Sequence, residues 1–154
     1  MQFVKAIAFE EALHPSFKTY AHQVIKNAAI MAETFKDLGY RIVSGGTDTH
    51  LFLIDLRNTK HHGTLTGKAV EELLGSCGIV VNRNGVPFDT QSPTLTSGIR
   101  IGTPAMTTRG LTETHVEQIA VWIDEAIRNR DDQTFLKTIK HEVEKMCRQF
   151  PIYT

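Results

Sequence analysis

Cysteine is scarce in this 154-residue sequence: there are two, Cys77 and Cys147, far apart along the chain. A small secreted domain stapled by disulfides carries more, so the two read as reduced thiols of a cytoplasmic protein. Surplus charge is missing as well, because 17 Lys and Arg balance 17 Asp and Glu and the pI is near 7.1. No overall field gathers polyanions, so nucleic acid is not indicated as a partner and an anionic membrane surface is disfavoured. Long apolar runs are also lacking. The opening MQFVKAIAFEEAL places Glu10 and Glu11 early and is neither a signal peptide nor a membrane span. No internal repeat or low-complexity segment occurs, and the length suits one domain that buries roughly two thirds of its unfolded surface.

Periodicity supplies the helices. Val4, Ile7, Ala8 and Ala12 recur at helical spacing until Pro15 redirects the chain at His14. That pattern begins without a cap residue, which suggests a chain cut from something longer. From Ser16 to Leu38, Phe17, Tyr20, Val24, Ala28, Met31 and Phe35 keep three- and four-residue steps, and Gly39 follows as a terminator. Thr66 caps a helix to Cys77, Thr112 caps another to Arg130, and Asp131 and Asp132 begin a last helix that ends at Pro151.

Strands are shorter. Arg41–Ser44 and His50–Asp55 flank a turn, and the run Leu51–Ile54 is apolar on both faces, which predicts a central strand covered on both sides. Ile79–Val81 is expected as a third strand, followed by a loop from Asn82 to Gln91 containing Asn84-Gly85. Asn58–Leu65 is expected as an exposed loop, and its adjacent His61 and His62 point apart on extended backbone, so no metal site is expected there. The sum is an α+β domain with a small antiparallel or mixed sheet of three or four strands and helices packed on it.

The stretch SPTLTSGIRIGTPAMTTRG, from Ser92 to Gly110, combines chemistry-bearing residues with demanding backbone. In a strand, Arg100 leaves the sheet on the face opposite Ile99 and Ile101. A guanidinium on stiff backbone between Gly98 and Gly102 suits a bidentate grip on a carboxylate or phosphate. The other reading is a structural salt bridge between Arg100 and one of the chain's own acids.

SGGTDTHLFLIDLR from Ser44 to Arg57, GKAVEELL, VNRNGVPFD and SPTLTSGIRIGTPAMTTRG, in that order, closely resemble the carboxy-terminal part of serine hydroxymethyltransferases, over about Phe3 to Tyr153. The family has the aspartate-aminotransferase-like (fold-type I) architecture and uses pyridoxal 5'-phosphate to interconvert serine and glycine, with tetrahydrofolate as the one-carbon carrier. The resemblance makes Arg100 the clamp for the amino-acid carboxylate and Asn84 a folate contact, whose carboxamide offers donors and an acceptor to a pterin edge. Asn84 also has a simpler reading as a turn residue. Ser92, Pro93 and Thr94 begin the folate-side segment, where Thr94 stands in place of the family's usual aromatic residue. Arg109 falls on a family arginine and is expected to serve local structure.

The family's Schiff-base lysine lies in a Thr-Thr-His-Lys segment that would precede residue 1, and nothing here resembles it. The resemblance therefore implies that residues 1–15 end a helix leading in from a large amino-terminal domain and that 16–154 form the small domain. No catalytic residue is expected in this stretch, which should bind no cofactor and be inactive alone. Its implied partners are the large domain, a second subunit in a homodimer or higher oligomer, glycine or serine, and folate. A former interface is expected on the first helix and on the strand face around Arg100. A different class of function, a free-standing amino-acid-binding or regulatory module, is the alternative.

Overall fold

A computed structural model of the chain describes residues 2–58 and 65–152. His61 and His62 lie outside these residues. Among the described residues six α-helices and four strands follow the order α1 (Gln2–Leu13), α2 (Pro15–Asp37), β1 (Arg41–Ile42), β2 (Leu51–Asp55), α3 (Gly67–Ser76), β3 (Asn82–Asn84), β4 (Gly98–Gly102), α4 (Pro104–Thr108), α5 (Glu113–Arg128) and α6 (Gln133–Gln149).

The boundaries have local causes. Between α1 and α2, His14 is extended, and its Nδ1 accepts the Ser16 amide at 3.3 Å while Pro15 occupies the first turn. Gly39, at φ 90°, reverses the backbone after α2 and lets the Tyr40 amide donate to Phe35 O. Thr66 accepts the Ala69 amide at 3.2 Å to cap α3, and Asp132 accepts the Thr134 and Phe135 amides to cap α6.

The sheet order is β1-β2-β4-β3, antiparallel throughout. Phe52 faces Ile101 across the central pair and Ile54 faces Ile99, and all four side chains are buried. With Met31 and Phe35 of α2, Val70 and Leu74 of α3, and Val116 and Ile123 of α5 they form one core. Each fully buried side chain of this size contributes about 1.5–3 kcal/mol through removal from water.

Three expectations are corrected. β2 is central but is covered on one face alone, because the helices pack on the side of Phe52 and Ile54 and leave Leu51 and Leu53 half-buried. The third strand is Asn82–Asn84, and Ile79–Val81 is not strand. Ile79 and Val81 do pack against the core, but Val80 is 90% exposed, and the backbone pairing with β4 begins one residue later. β1 stops at Ile42, since Val43–Gly45 form a turn of 3-10 helix with Ser44 at φ 63°.

Candidate functional site

Arg100 sits at the middle of β4, opposite Leu53 of β2 and Asn82 of β3. Period-two alternation sends Ile99 and Ile101 into the core and the arginine outward. Its side chain is exposed, and its one hydrogen bond among the described residues runs from a guanidinium nitrogen to Asn82 Oδ1 at 3.4 Å. No carboxylate of the described residues forms an ion pair with it. Arg57, Arg83 and Arg128, by contrast, each hold an acid, Asp55, Glu71 and Asp124 respectively.

Asn84 ends β3 opposite Gly98, on the same sheet face as Arg100 and one step diagonal from it. Such neighbours stand about 7–8 Å apart, within reach of one small ligand. The Asn84 side-chain amide donates to Gly85 O at 2.7 Å, and its Oδ1 accepts no hydrogen bond from the described residues. Ser92, Pro93 and Thr94 are exposed in the loop between β3 and β4, where the hydroxyls of Ser92 and Thr94 lie 2.9 Å apart. No strand pairing ties these three to Arg100.

Pattern reading overlooked a polar network beside the open face. Asp55, at the end of β2, is buried, and its two oxygens accept Nε and Nη of Arg57 at 3.0 and 2.8 Å. Arg41, opposite Asp55 on β1, adds a second cation at 3.5 Å. The Arg57 hydrogen bonds hold the Asp55 carboxyl below the ordinary carboxylate range, against the opposing effect of burial. Arg57 then reaches across to donate to Pro87 O and Phe88 O at 3.1 and 2.9 Å.

Those carbonyls belong to a tight turn, Val86–Asp89, closed by the Asp89 amide donating to Val86 O at 3.0 Å. Phe88 occupies its third position at φ 56°, a left-handed conformation that favours Gly or Asn. Asp89 accepts four donors: the Ser97 hydroxyl and amide, the Gln91 amide and the Val86 amide, at 2.6, 2.8, 2.9 and 3.2 Å. These bonds, the Ser97 hydroxyl foremost, push its carboxyl far below the usual range. An aspartate directly after an apolar run, as in LFLID, is the signal that could have exposed this network.

Arg109 is not part of the open face. Its guanidinium donates to Cys147 O and Phe150 O at 3.2 and 2.5 Å, satisfying carbonyls at the end of α6. Fully buried Asn27 of α2 likewise donates to Thr107 Oγ1 and Leu111 O while its Oδ1 accepts from Gln23. A cavity of about 180 Å³ beneath α6, with Met106, Trp122 and Cys147 among its walls, includes neither Arg100 nor Asn84.

The described lysines all lie on helices, and none stands on the sheet with Arg100. Among the described residues no cluster of three His, Cys, Asp or Glu is arranged to hold a metal, and no helix is long and apolar enough to cross a membrane.

A family model described as serine hydroxymethyltransferase matches residues 3–123. The chain belongs to the serine hydroxymethyltransferase family. It is 48% identical over 149 residues to the serine hydroxymethyltransferase of Koribacter versatilis (strain Ellin345), covering 97% of this chain and 34% of that protein. The chain thus spans about a third of the length of the curated relative it matches. Within the serine hydroxymethyltransferase family, a fold-type I architecture, the α+β arrangement with a four-stranded antiparallel sheet is the one expected from the resemblance.

Proposed function

We propose that this chain is the carboxy-terminal small domain of a serine hydroxymethyltransferase, an enzyme that transfers a one-carbon unit between serine and tetrahydrofolate. In this reading Arg100 binds the carboxylate of the amino-acid substrate, and Asn84 with Ser92–Thr94 lines the folate side. The observation that supports it is the state of Arg100: exposed on the open face of a central strand, in no ion pair with an acid of the described residues. A planar guanidinium held this way offers two parallel N–H donors to a carboxylate and so fixes the substrate's orientation as well as its affinity. Asn84, diagonal to it, has an acceptor oxygen open to a ligand's polar edge.

Pyridoxal 5'-phosphate supplies an electron sink for the bond cleavage when bound to the complete enzyme. The residues described here do not fit its covalent anchor, because no lysine shares the sheet with Arg100. The anchor and the catalytic residues are assigned to a large amino-terminal domain, into which residues 1–15 lead while residues 16–154 form the small domain. This chain alone is then inactive. Its partners are that domain and a second subunit in a cytoplasmic homodimer or larger oligomer. No step of the chemistry is assigned to the residues of this chain beyond binding and orientation.

Replacing Arg100 with lysine in the full-length enzyme tests the reading. Loss of a bidentate, charge-assisted pair worth about 1.5–3 kcal/mol should raise the KM for serine roughly tenfold or more. Unchanged steady-state constants would remove the clamp role.

A further inference from the structure

We propose that Arg57 and Asp89 are positioning residues that fix the folate-side loop, acting through backbone and not by touching ligand. The inference rests on the reading of Asn84 and Ser92–Thr94 given above. Three observations carry it.

First, the two side chains tie down successive parts of one loop. Arg57 binds the carbonyls of Pro87 and Phe88 from outside the loop, anchored in turn on buried Asp55. Asp89 binds the amides of Val86, Gln91 and Ser97, so the segment that begins just after Asn84 and contains Ser92–Thr94 is cinched at both ends onto one carboxylate. Fixed donors and acceptors of this kind place backbone with little residual freedom.

Second, the bonds hold the loop against a local preference. Phe88 stays left-handed although its ring is 96% exposed and gains nothing from packing. Non-glycine residues in that region persist where surrounding structure over-determines them. Here the over-determination is visible: Arg57 holds Phe88's own carbonyl, and Asp89 holds the residues on either side of the turn.

Third, no side-chain hydrogen bond or ion pair among the described residues joins Arg100 to this network. Its position follows from strand pairing, with Leu53 on one side and Asn82 on the other. Disturbing the loop should therefore separate the two substrates: folate binding suffers and amino-acid binding does not.

The experiment compares Asp89→Asn, Arg57→Lys, Phe88→Gly and Asn84→Ala in the full-length enzyme, measuring KM for tetrahydrofolate and for serine together with kcat. Asp89→Asn keeps the shape but cannot accept all four donors, and Arg57→Lys keeps a charge for Asp55 but loses the simultaneous reach to two carbonyls. Should one of these two variants fail to fold, the other still decides. The expected result is a rise of roughly tenfold in folate KM for both, with serine KM moving less than about twofold. If Asn84→Ala raises folate KM and neither variant does, the positioning role is overturned and the folate reading stands. Equal losses for both substrates would mean a general structural role and overturn it too. Phe88→Gly removes the ring while leaving the bonds, so a rise matching that of Arg57→Lys would assign the contact to the ring and overturn the proposal. No effect of Asn84→Ala would overturn the folate reading and the positioning role with it.

Discussion

The α-carbon of Gly67, first residue of α3, rests against the carbonyl oxygen of Gly98 in β4: a methyl group there would overlap that oxygen and the Thr96 hydroxyl. The same contact uses the free amides at the helix start, since Gly67 and Lys68 donate to Thr96 O and Leu95 O, both at 2.9 Å. Gly67→Ala must therefore push backbone, and the backbone it pushes leads into Arg100 two residues later. The expected cost is about 1–3 kcal/mol in urea or thermal unfolding, with larger values if the strand cannot shift. A neutral Gly67→Ala would show that α3 slides freely on the loop.

Asn27, fully buried, links α2 to α4 and to the turn after it through two hydrogen bonds, to Thr107 Oγ1 and Leu111 O. Asn27→Ala leaves Leu111 O without a donor and should destabilise by about 1–3 kcal/mol. For a chain of this length that lowers Tm by roughly 2–4 °C per kcal/mol, readable by calorimetry. Preserved Tm would mean that water replaces the carboxamide at no cost.

Stability should fall at alkaline pH through Tyr40. Its hydroxyl donates to Asp124 at 2.9 Å, and burial, reinforced by the Asp124 charge, raises its pKa well above the ordinary value. A raised folded-state pKa contributes stability that is whole below the unfolded value of about 10 and is lost as pH climbs toward the folded one. Urea midpoints for Tyr40→Phe and the parent should therefore converge above pH 10. Parallel curves through that range would exclude the linkage.

The isolated chain should self-associate through α1. Phe3 and Leu13 are 85% and 86% exposed, and Val4, Ile7 and Phe9 are exposed between them. Large apolar side chains exposed around a helix favour association. Sedimentation velocity over a hundredfold range of concentration should give rising mass, and Phe3→Glu with Phe9→Glu should restore the monomer. A monomer at every concentration would dismiss α1 as the contact.

Long amphipathic segments were legible: α2, α5 and α6 follow from apolar spacing, and Gly39, Thr66 and Asp132 act as read. Arg100 was legible too, because Ile99 and Ile101 fix which way it leaves the sheet. What escaped was structure made by partners distant in sequence. Asn82-Arg83-Asn84 has no strand character of its own and becomes β3 because β4 lends it a backbone to pair with, while Ile79 and Val81 serve the core without pairing. The five-residue α4 carries too few apolar positions for a period to register. Asp55, Arg57 and Asp89 were invisible as a set, since three charged residues read individually as solvated until the fold brings them to one loop.

The sheet's two margins are poor places for growth. β1 contributes two residues, and β3 is a three-residue polar strand, Asn82–Asn84, whose Arg83 amide is held by Glu71. Short, polar margins discourage a foreign strand from adding on. An incoming strand therefore finds little backbone to pair with at either margin.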